Sequence, residues 1–478
     1  MSKPASDGQS AEVEAMIRSA NAKRKAGNAI DSAREFDSVL ARAPNHPSAL
    51  HGRARLALAR GESDALKWFD KALKADPGNA DLWLGKAQAL DVAGDAAGAM
   101  IIARQICEQA PGFIVGLEFL AGLRLAQGDA DFAQDFYLAA KRVPQDPNIP
   151  AAHADILAGL AQTAAAAKIA QEARKRFPNE THFALLEAAN ASASGQLDRA
   201  DTIFEGLSDE RPSRLLQEAR HQVRAQRYEK AENLLEKVLS KDPWNIAAWA
   251  LFGVVWRVIG DERSDWLHEQ KGLVQMRPLE GRAELIDDAT QTLKKLHENS
   301  VMPLNQSLRG GTQTRGVLFH RHEPVLAELH TAIQVTLESY RRELPDEDKT
   351  HPLLRLTQAQ WALAGSWSVR LVGGRTGTPK PLDHHAAHIH PAGIVSSALY
   401  CAVPDAATCE KTRQGWLELG RPPTDLAVDL DPICVLKPVK GHLALFPSTL
   451  YHGTTPFAST AQEERITTAF DVVALNSR

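Results

Sequence analysis

The sequence has few cysteines and no long apolar run, and each absence excludes a class of protein. Its 478 residues include only Cys107, Cys401, Cys409 and Cys434, without a Cys-x-x-Cys pair, so a disulfide framework is not expected. No stretch approaches the roughly 18 apolar residues of a transmembrane helix. The first residues also lack the apolar core of a signal peptide. We therefore expect a cytoplasmic protein that does not enter a membrane.

An excess of charge of one sign is also missing. Lysine and arginine total 55, aspartate and glutamate total 59, and the formal net charge is −4 at pH 7. This balance provides no extended positive field for nucleic acid or acidic lipid, and we expect neither as a partner. Apolar residues make up 44% of the chain and charged residues 24%, which is typical of a folded chain rather than a disordered one.

Proline and glycine recur through the first 280 residues with a regular period. The repeat prolines are spaced by 31 to 35 residues, and a glycine stands 16 to 18 residues before six of them. Gln162 and Gln226 take the place of the glycine in the other two intervals. This period predicts helix–turn–helix units, because glycine permits a tight turn and proline ends the second helix. The repeat prolines are Pro44, Pro77, Pro111, Pro144, Pro178, Pro212, Pro243 and Pro278.

These units resemble the tetratricopeptide repeat family over roughly residues 10–278. Trp83 and Trp249 each lie six residues after a repeat proline, near the family's early aromatic position, and we expect both in the core. One helical hairpin cannot bury its apolar face alone, so the hairpins should stack into an N-terminal α-solenoid. The resemblance implies a groove that binds a peptide or protein partner, but it implies no chemistry.

The last part of the chain has a different pattern. Helices are predicted from Arg282 to Leu296 and from Pro324 to Leu344, and alternating apolar residues then predict short strands, including residues 366–372, 394–403 and 467–473. Strands without intervening helices favour an antiparallel sandwich or barrel. The predicted fold class is multidomain α plus β. Its predicted parts are a repeat solenoid over residues 1–280, a helical connector over 281–345 and a β domain over 346–478.

Three histidines in the β domain have a spacing that fits a metal ion. His388 and His390 would share one face of a strand, with Cβ atoms roughly 6.5–7 Å apart. His452 follows 62 residues after His390, behind the apolar segment GHLALFPS, so it can return on another strand. Three protein ligands leave open positions on an octahedral metal, and oxygen-activating iron needs such positions.

Arg465 is the candidate anion-binding residue. It lies thirteen residues beyond His452, and Thr467 shares its strand face by the same period of two. A guanidinium and a hydroxyl that point into a barrel can together bind the far carboxylate of a dicarboxylate. Burying an arginine in a barrel without such an anion would be costly.

Residues 366–473 resemble the Fe(II)/2-oxoglutarate-dependent dioxygenases, and together with the repeats they resemble a bacterial 2OG-Fe(II) oxygenase family. The segments that carry the resemblance are SWSVRL, HIHPAG, SSALYCAVP, GWLELG, GHLALFPSTLYHGTTPF and ERITTAFDV. The resemblance implies a C-terminal double-stranded β-helix, or jelly roll, that uses Fe(II), 2-oxoglutarate and O₂. It assigns the metal to His388, His390 and His452, and no catalytic residue beyond this metal centre is predicted.

The same resemblance implies the binding mode of 2-oxoglutarate and the reaction. Arg465 corresponds to the arginine that binds the C5 carboxylate, Thr467 to its hydroxyl partner and Tyr400 to a further cosubstrate contact. The implied activity is oxidative decarboxylation of 2-oxoglutarate to succinate and CO₂, coupled to hydroxylation of a C–H bond. The repeats suggest a peptide or protein substrate, with a prolyl residue as one option.

Several alternatives stay open. The usual ligand set contains a carboxylate where this chain has His390; Asp383 precedes it in the wrong order and spacing, so three histidines are favoured. His384 and His385 are interpreted as solvated loop residues. The protein could instead be a non-catalytic repeat scaffold with a structural barrel, or a hydroxylase of small molecules.

Overall fold

The structure is a computed structural model that describes residues 4–304, 306–373, 382–458 and 463–475. The chain divides into two compact units. The first unit comprises Met1–Asp146 with Arg315–Ala327, and the second comprises Pro147–Thr314 with Glu328–Arg478. None of the described helices combines the length and the apolar character that a membrane span requires.

Sixteen successive helices precede the first strand of the described chain, and they pack mainly as neighbouring pairs. They are α1 (Pro4–Lys25), α2 (Ala29–Arg42), α3 (Pro47–Arg60), α4 (Ala65–Ala75), α5 (Ala80–Val92), α6 (Ala96–Gln109), α7 (Ile114–Ala126), α8 (Gln134–Arg142), α9 (Asn148–Gly159), α10 (Thr163–Arg176), α11 (Thr181–Ala193), α12 (Leu197–Glu205), α13 (Pro212–Arg224), α14 (Tyr228–Lys241), α15 (Ile246–Ile259) and α16 (Arg263–His268). The two helices predicted beyond residue 280 are also present, as α17 (Leu285–Glu298) and α18 (Pro324–Arg342).

A glycine makes room for a phenylalanine at the same place in two neighbouring repeats. A Cβ atom at Gly52 of α3 would lie 2.3 Å from the ring of Phe36, and one at Gly85 of α5 would lie 2.2 Å from the ring of Phe69. Both phenylalanines are fully buried. The contact therefore recurs with the period seen in the sequence, and it requires the absence of a side chain at these two positions.

Trp83 and Trp249 also occupy equivalent places. Each indole nitrogen donates a hydrogen bond to the carbonyl of the repeat proline six residues earlier, at 2.8 Å for Pro77 and 3.0 Å for Pro243. Both rings are partly buried against hydrophobic clusters, which agrees with their predicted core role.

The turns without glycine depart in one detail from the prediction. In one turn Gln226 adopts a positive φ of 57°, as a replacement for glycine should. In the other turn the residue with a positive φ is Ala161, at 61°, and not the predicted Gln162. Gln162 is the N-cap residue of α10. Two repeat prolines also differ, because Pro212 begins α13 and Pro278 ends a strand.

The described residues from Gln275 to Leu475 contain eleven strands. They are β1 (Gln275–Pro278), β2 (Leu308–Arg309), β3 (Thr312–Gln313), β4 (Gln360–Leu371), β5 (His384–His385), β6 (Val395–Ala402), β7 (Leu417–Leu419), β8 (Cys434–Leu436), β9 (His442–Pro447), β10 (His452–Thr454) and β11 (Arg465–Leu475). The described strands form three antiparallel sheets, with the orders β1-β9-β6-β11-β4-β3, β10-β7-β8 and β2-β5.

The long strand β11 has a central place in the six-stranded sheet, between β4 and β6. Arg465 lies opposite Leu371 of β4, and Thr467 lies opposite Tyr400 of β6. The alternating pattern of the sequence therefore predicted these strands and their pairing class correctly. The predicted fold class, helical hairpins followed by an antiparallel jelly-roll domain, is confirmed.

Strand β1 comes from residues that the sequence assigned to the repeats. It forms the edge of the large sheet, with Gln275 opposite Leu445 and Pro278 opposite His442 of β9. The division of the chain at residues 280 and 345 stays a prediction.

Within the second unit, one hydrophobic cluster joins helices α13–α16 to the β domain. Leu426 and Tyr451 of the β domain are buried in this cluster beside Leu251 and Trp256 of α15. Ile389, which separates His388 from His390, packs against it. The repeat helices therefore fix the segments that carry the predicted metal ligands.

Candidate metal centre

His388 and His452 are held together by their own backbones. The amide of His388 donates to the carbonyl of His452 at 3.0 Å, and the amide of His452 donates to the carbonyl of His388 at 2.9 Å. The residues form an isolated antiparallel bridge, and their ring centroids are 4.2 Å apart. The segment around His390 is not a regular strand, so this bridge, rather than a strand face, brings the rings together.

All three predicted metal ligands converge. One nitrogen from each of His388, His390 and His452 lies within 4.8 Å of the other two. The Nε2 atoms of His388 and His390 are 3.0 Å apart. Imidazole nitrogens are suitable ligands for iron, zinc, copper and nickel, so this donor set fits a divalent transition metal such as Fe(II).

The other ring nitrogens of His388 and His452 are bonded to the backbone. Nδ1 of His388 lies 2.9 Å from the Ala386 carbonyl oxygen, and Nδ1 of His452 lies 3.1 Å from the Leu450 carbonyl oxygen. A carbonyl only accepts, so each Nδ1 carries the proton and donates it. Each Nε2 lone pair therefore stays available for a metal.

The Nδ1 atom of His390 is bonded to a carboxylate instead of a backbone carbonyl. Its Nδ1 is hydrogen-bonded to Oδ1 of Asp471 on β11. Asp471 was not predicted from the sequence, although it lies six residues after Arg465 on a strand of alternating pattern, and this spacing places both side chains on the same side of the strand. A carboxylate on the distal nitrogen orients a ligating histidine and makes it more basic.

Burial keeps two of these histidines neutral. It lowers the pKa of the His388 imidazole to about 3, with smaller contributions from the charges of His390 and Arg309. Burial and the neighbouring His388 hold the pKa of His452 well below its usual value. Both side chains therefore offer a lone pair rather than a proton at neutral pH.

The carboxylate alternative, Asp383, is used elsewhere. Asp383 is buried, and its Oδ2 accepts a hydrogen bond from the Val372 amide at 3.1 Å. Its side chain also fills the space beside Gly310, where a Cβ atom would lie 2.0 Å from Oδ1. Asp383 is not part of the histidine cluster found among the described residues.

Arg465 and Thr467 lie on the neighbouring strand β11, and both are buried. Arg465 is only 2% exposed, and no carboxylate in the described part of the chain forms an ion pair with it. Its Nε has no hydrogen-bond partner within the described ranges. Burial lowers the pKa of this guanidinium, and Tyr400 opposes the shift. A buried cation without an anion fits the predicted carboxylate of 2-oxoglutarate.

Tyr400 contacts Arg465 directly. The guanidinium carbon lies 5.2 Å from the centre of the fully buried Tyr400 ring. The tyrosine is not among the residues that line the cavity beside the histidines. Its position supports the arginine by a cation–π contact, whereas the predicted contact to the cosubstrate stays a prediction.

One cavity of about 480 Å³ joins the two ends of the site. His388, His390 and His452 line one part, and Arg465 and Thr467 line another. This volume lies within the roughly 300–1,000 Å³ of ligand pockets. The site therefore has room for a small dicarboxylate between the imidazoles and the guanidinium.

His384 and His385 are not solvated loop residues, contrary to the interpretation from the sequence. They form β5 and pair with Arg309 and Leu308 of β2. The Nδ1 of His385 lies 3.2 Å from the Ser307 hydroxyl, which is also 3.2 Å from Nε2 of His388. A short pairing of two-residue strands leaves too little sequence pattern to be predicted.

Two family models match the chain. Residues 376–471 match a family described as "Putative 2OG-Fe(II) oxygenase", and residues 17–79 and 63–112 match a tetratricopeptide repeat family. No curated protein matches the chain. The oxygenase match includes all three histidines and Arg465.

The chain is also similar to parts of solved structures. A tetratricopeptide repeat protein from Parabacteroides merdae is 15% identical, covers 48% of this chain and 92% of its own, and has a TM-score of 0.31. The pilF protein of Pseudomonas aeruginosa is 18% identical, covers 42% of this chain and 92% of its own, and has a TM-score of 0.30. From the family matches, the chain carries tetratricopeptide repeats in its N-terminal part and a C-terminal domain of the 2OG-Fe(II) oxygenase family.

Proposed function

We propose that the protein is an Fe(II)/2-oxoglutarate-dependent dioxygenase that hydroxylates a peptide or protein substrate. The observation that carries this proposal is that three converging imidazoles and a buried guanidinium, which has no carboxylate partner among the described residues, line a single cavity. The oxygenase family implies Fe(II), 2-oxoglutarate and O₂ in general, and tetratricopeptide repeats commonly bind proteins.

His388, His390 and His452 would hold the iron. When bound, Fe(II) supplies O₂ activation, which couples the conversion of 2-oxoglutarate to succinate and CO₂ to the oxidation of a substrate C–H bond. Within the chain, the backbone bridge and the Nδ1 hydrogen bonds hold the three rings in place. This preorganisation lowers the entropic cost of metal binding.

Arg465 and Thr467 would bind the C5 carboxylate of 2-oxoglutarate, and Tyr400 would hold the guanidinium in place. Because Arg465 is buried, an ion pair with the cosubstrate is weakly screened. No separate general base is needed from the protein. Its remaining contribution is to keep water out, and the rings of Trp367 and Phe446 serve this purpose against His390 and His452, at 5.4 and 4.9 Å between centroids.

The third ligand is proposed to be His390 rather than a carboxylate. Three imidazoles carry no negative charge, and this would leave the iron more positive than the usual ligand set does. Asp471 offsets part of this difference, because its carboxylate lies on the distal nitrogen of His390. A cytoplasmic location and prolyl residues as the target also belong to this proposal.

Reconstitution of the full chain with Fe(II) tests the proposal. The iron-loaded protein is incubated with 2-oxoglutarate, ascorbate and air, and succinate is measured by mass spectrometry, with and without a peptide pool. We expect succinate from the wild type and none above background from His452→Ala, with His442→Ala as a matched control on β9. A wild type that binds neither Fe(II) nor 2-oxoglutarate would support the structural-barrel alternative. A wild type that binds both without forming succinate would support a domain that has lost turnover.

A further inference from the structure

A second, larger cavity adjoins the metal centre. It measures about 1650 Å³ and lies entirely within the second unit, between helices α9, α11 and α13 and the loops of the β domain. His385, Gly453 and Thr454 line both this cavity and the one beside the histidines. A ligand in the large cavity therefore reaches the residues that flank His388 and His452.

The size and the walls of this cavity fit a chain-like ligand. Its volume exceeds the roughly 300–1,000 Å³ of small-molecule pockets. Leu186, Ala189, Asn190 and Ala193 line it at the spacing of one helix face, so the inward surface of α11 is available along two turns. An extended polypeptide segment fills such a space, whereas a single metabolite would leave most of it empty.

Most of the arginines in the wall already have carboxylate partners. Arg220 and Arg224 share Asp425, at 2.7 and 2.6 Å. Arg421 pairs with Glu418 at 2.8 Å. Arg370, which also lines the cavity, pairs with Glu464 at 2.9 Å. The charges of these four arginines are therefore already balanced by carboxylates of the chain, and they do not need a charged ligand.

Arg309 differs from the other arginines of the cavity wall, because it has only carbonyl partners among the described residues. Its Nη1 donates to the carbonyls of Gln306 and Leu308, at 2.7 and 3.1 Å, and its Nη2 approaches the carbonyl of Gly159 at 3.4 Å. No ion pair links it to a carboxylate of the described residues, and the side chain is half-buried. Carbonyl oxygens do not neutralise a guanidinium, so within the described part of the chain this cation of the cavity wall lacks a counterion.

Two further carboxylates line the cavity, but neither serves Arg309. Asp383 accepts a hydrogen bond from the Val372 amide. Asp155 lies on α9 and also lines the cavity, but no ion pair joins it to Arg309 among the described residues. Burial lowers the pKa of Arg309 without an opposing carboxylate. An acidic group on a ligand would supply a counterion for Arg309.

Arg309 also lies close to the candidate metal centre. It lies on β2 opposite His384, and the next pair along this ribbon is Leu308 with His385. His385 lines the metal-centre cavity. A carboxylate bound at Arg309 would therefore hold its peptide at the entrance to the metal centre.

Building on the proposed function, we propose that the cavity between α9, α11, α13 and the β2–β5 ribbon binds an extended polypeptide substrate, and that Arg309 binds an acidic side chain of this substrate next to the oxidised residue. The group that Arg309 would bind is a carboxylate on a peptide side chain. Arg309 is a binding and positioning residue for the substrate.

The test compares peptide pools that differ at one position. Ten-residue peptides carry Glu, Gln or Lys at one fixed position and random residues elsewhere, and their retention by the full-length protein is measured by mass spectrometry. Arg309→Gln keeps a hydrogen-bond donor for the Gln306 carbonyl and removes the charge. Arg309→Glu reverses the charge, and Arg421→Gln is a matched control in the same wall.

We expect the wild type and Arg421→Gln to retain the Glu pool about tenfold better than the Gln pool, as a charge-assisted hydrogen bond provides. Arg309→Gln should bring this ratio to about one, and Arg309→Glu should favour the Lys pool. A wild type that retains no pool, or that retains the Glu and Gln pools equally, overturns the proposal. An unchanged ratio in Arg309→Gln also overturns it. Succinate formation without peptide is measured in parallel, and its absence would count against the proposed function alone.

Discussion

Arg220 of α13 donates a hydrogen bond to the hydroxyl of Tyr451 at 3.3 Å, and Tyr451 is the residue immediately before His452. Arg220 also forms an ion pair with Asp425, which Arg224 shares. A repeat helix is therefore bonded to the residue next to a predicted metal ligand. Helix α13 of the second unit therefore supports the segment that carries His452.

Asp425→Asn should destabilise the second unit. The change leaves Arg220 and Arg224 without their shared counter-charge. Because the Asp425 side chain is 36% exposed, we expect a moderate loss of about 1–3 kcal/mol in the free energy of unfolding. Urea unfolding measures this change. Asp431→Asn is the control, since the Asp431 side chain is fully exposed, and an equal loss in the two variants would contradict the assigned role.

The stabilising effect of Asp425 should depend on pH. Burial raises the pKa of its carboxyl, but Arg220 and Arg224 outweigh burial and the net pKa is lowered. A lowered pKa in the folded state means that the stabilisation is complete above the unfolded value of about 3.9 and is lost as the pH falls through the folded value. The difference in unfolding free energy between wild type and Asp425→Asn should therefore shrink from pH 6 towards pH 3. A difference that is constant over this range would exclude an ionic contribution.

Asp471→Asn should weaken metal binding without removing a ligand. The amide can still accept from His390 Nδ1, but it lacks the negative charge that makes the imidazole more basic. Loss of such a partner typically reduces metal affinity by about 10–100-fold. Anaerobic Fe(II) titration of the full chain measures the effect, with Asp429→Asn as an exposed control. If metal affinity stayed unchanged, the carboxylate would have only a structural role.

Arg465→Ala should weaken 2-oxoglutarate binding and leave metal affinity nearly unchanged. The loss of a charge-assisted ion pair in a buried site is expected to raise the Kd for 2-oxoglutarate by about 10–100-fold. Calorimetric titration of the metal-loaded protein with 2-oxoglutarate measures it. Arg465→Lys should be intermediate, because lysine keeps the charge but not the two-pronged geometry. Parallel loss of metal binding would instead indicate that the domain has unfolded.

Gly85→Ala should destabilise the first unit, although alanine is the better helix former. The new Cβ atom would lie 2.2 Å from the buried ring of Phe69, and such overpacking costs about 1–3 kcal/mol. Gly78→Ala is the matched control, because nothing lies within 4 Å of a Cβ atom there. Thermal unfolding of both variants measures the difference, and an increase in Tm for Gly85→Ala would contradict the packing argument.

Periodic features of the chain were predicted well because they follow from local geometry. The Pro/Gly period located the hairpins, and the alternation along β11 placed Arg465 and Thr467 on one strand. The three histidines were recognised from their spacing and from a family resemblance, and the structure brings their nitrogens together.

Contacts between distant segments were not predicted. Asp471 bonds to a histidine 81 residues earlier, and no local pattern marks that pair. His388 and His390 meet the third histidine through a single backbone bridge to His452, where a regular strand was expected. Ala161, rather than Gln162, adopts the positive φ of glycine in its turn.

The position of β1 affects how the β domain can be isolated. A fragment that starts at residue 281 would lack Gln275–Pro278 and would leave the hydrogen-bonding edge of β9 uncovered. Uncovered edges of this kind pair with other molecules and cause aggregation. An excised oxygenase domain should therefore begin before Gln275, so that it retains its own protective edge strand.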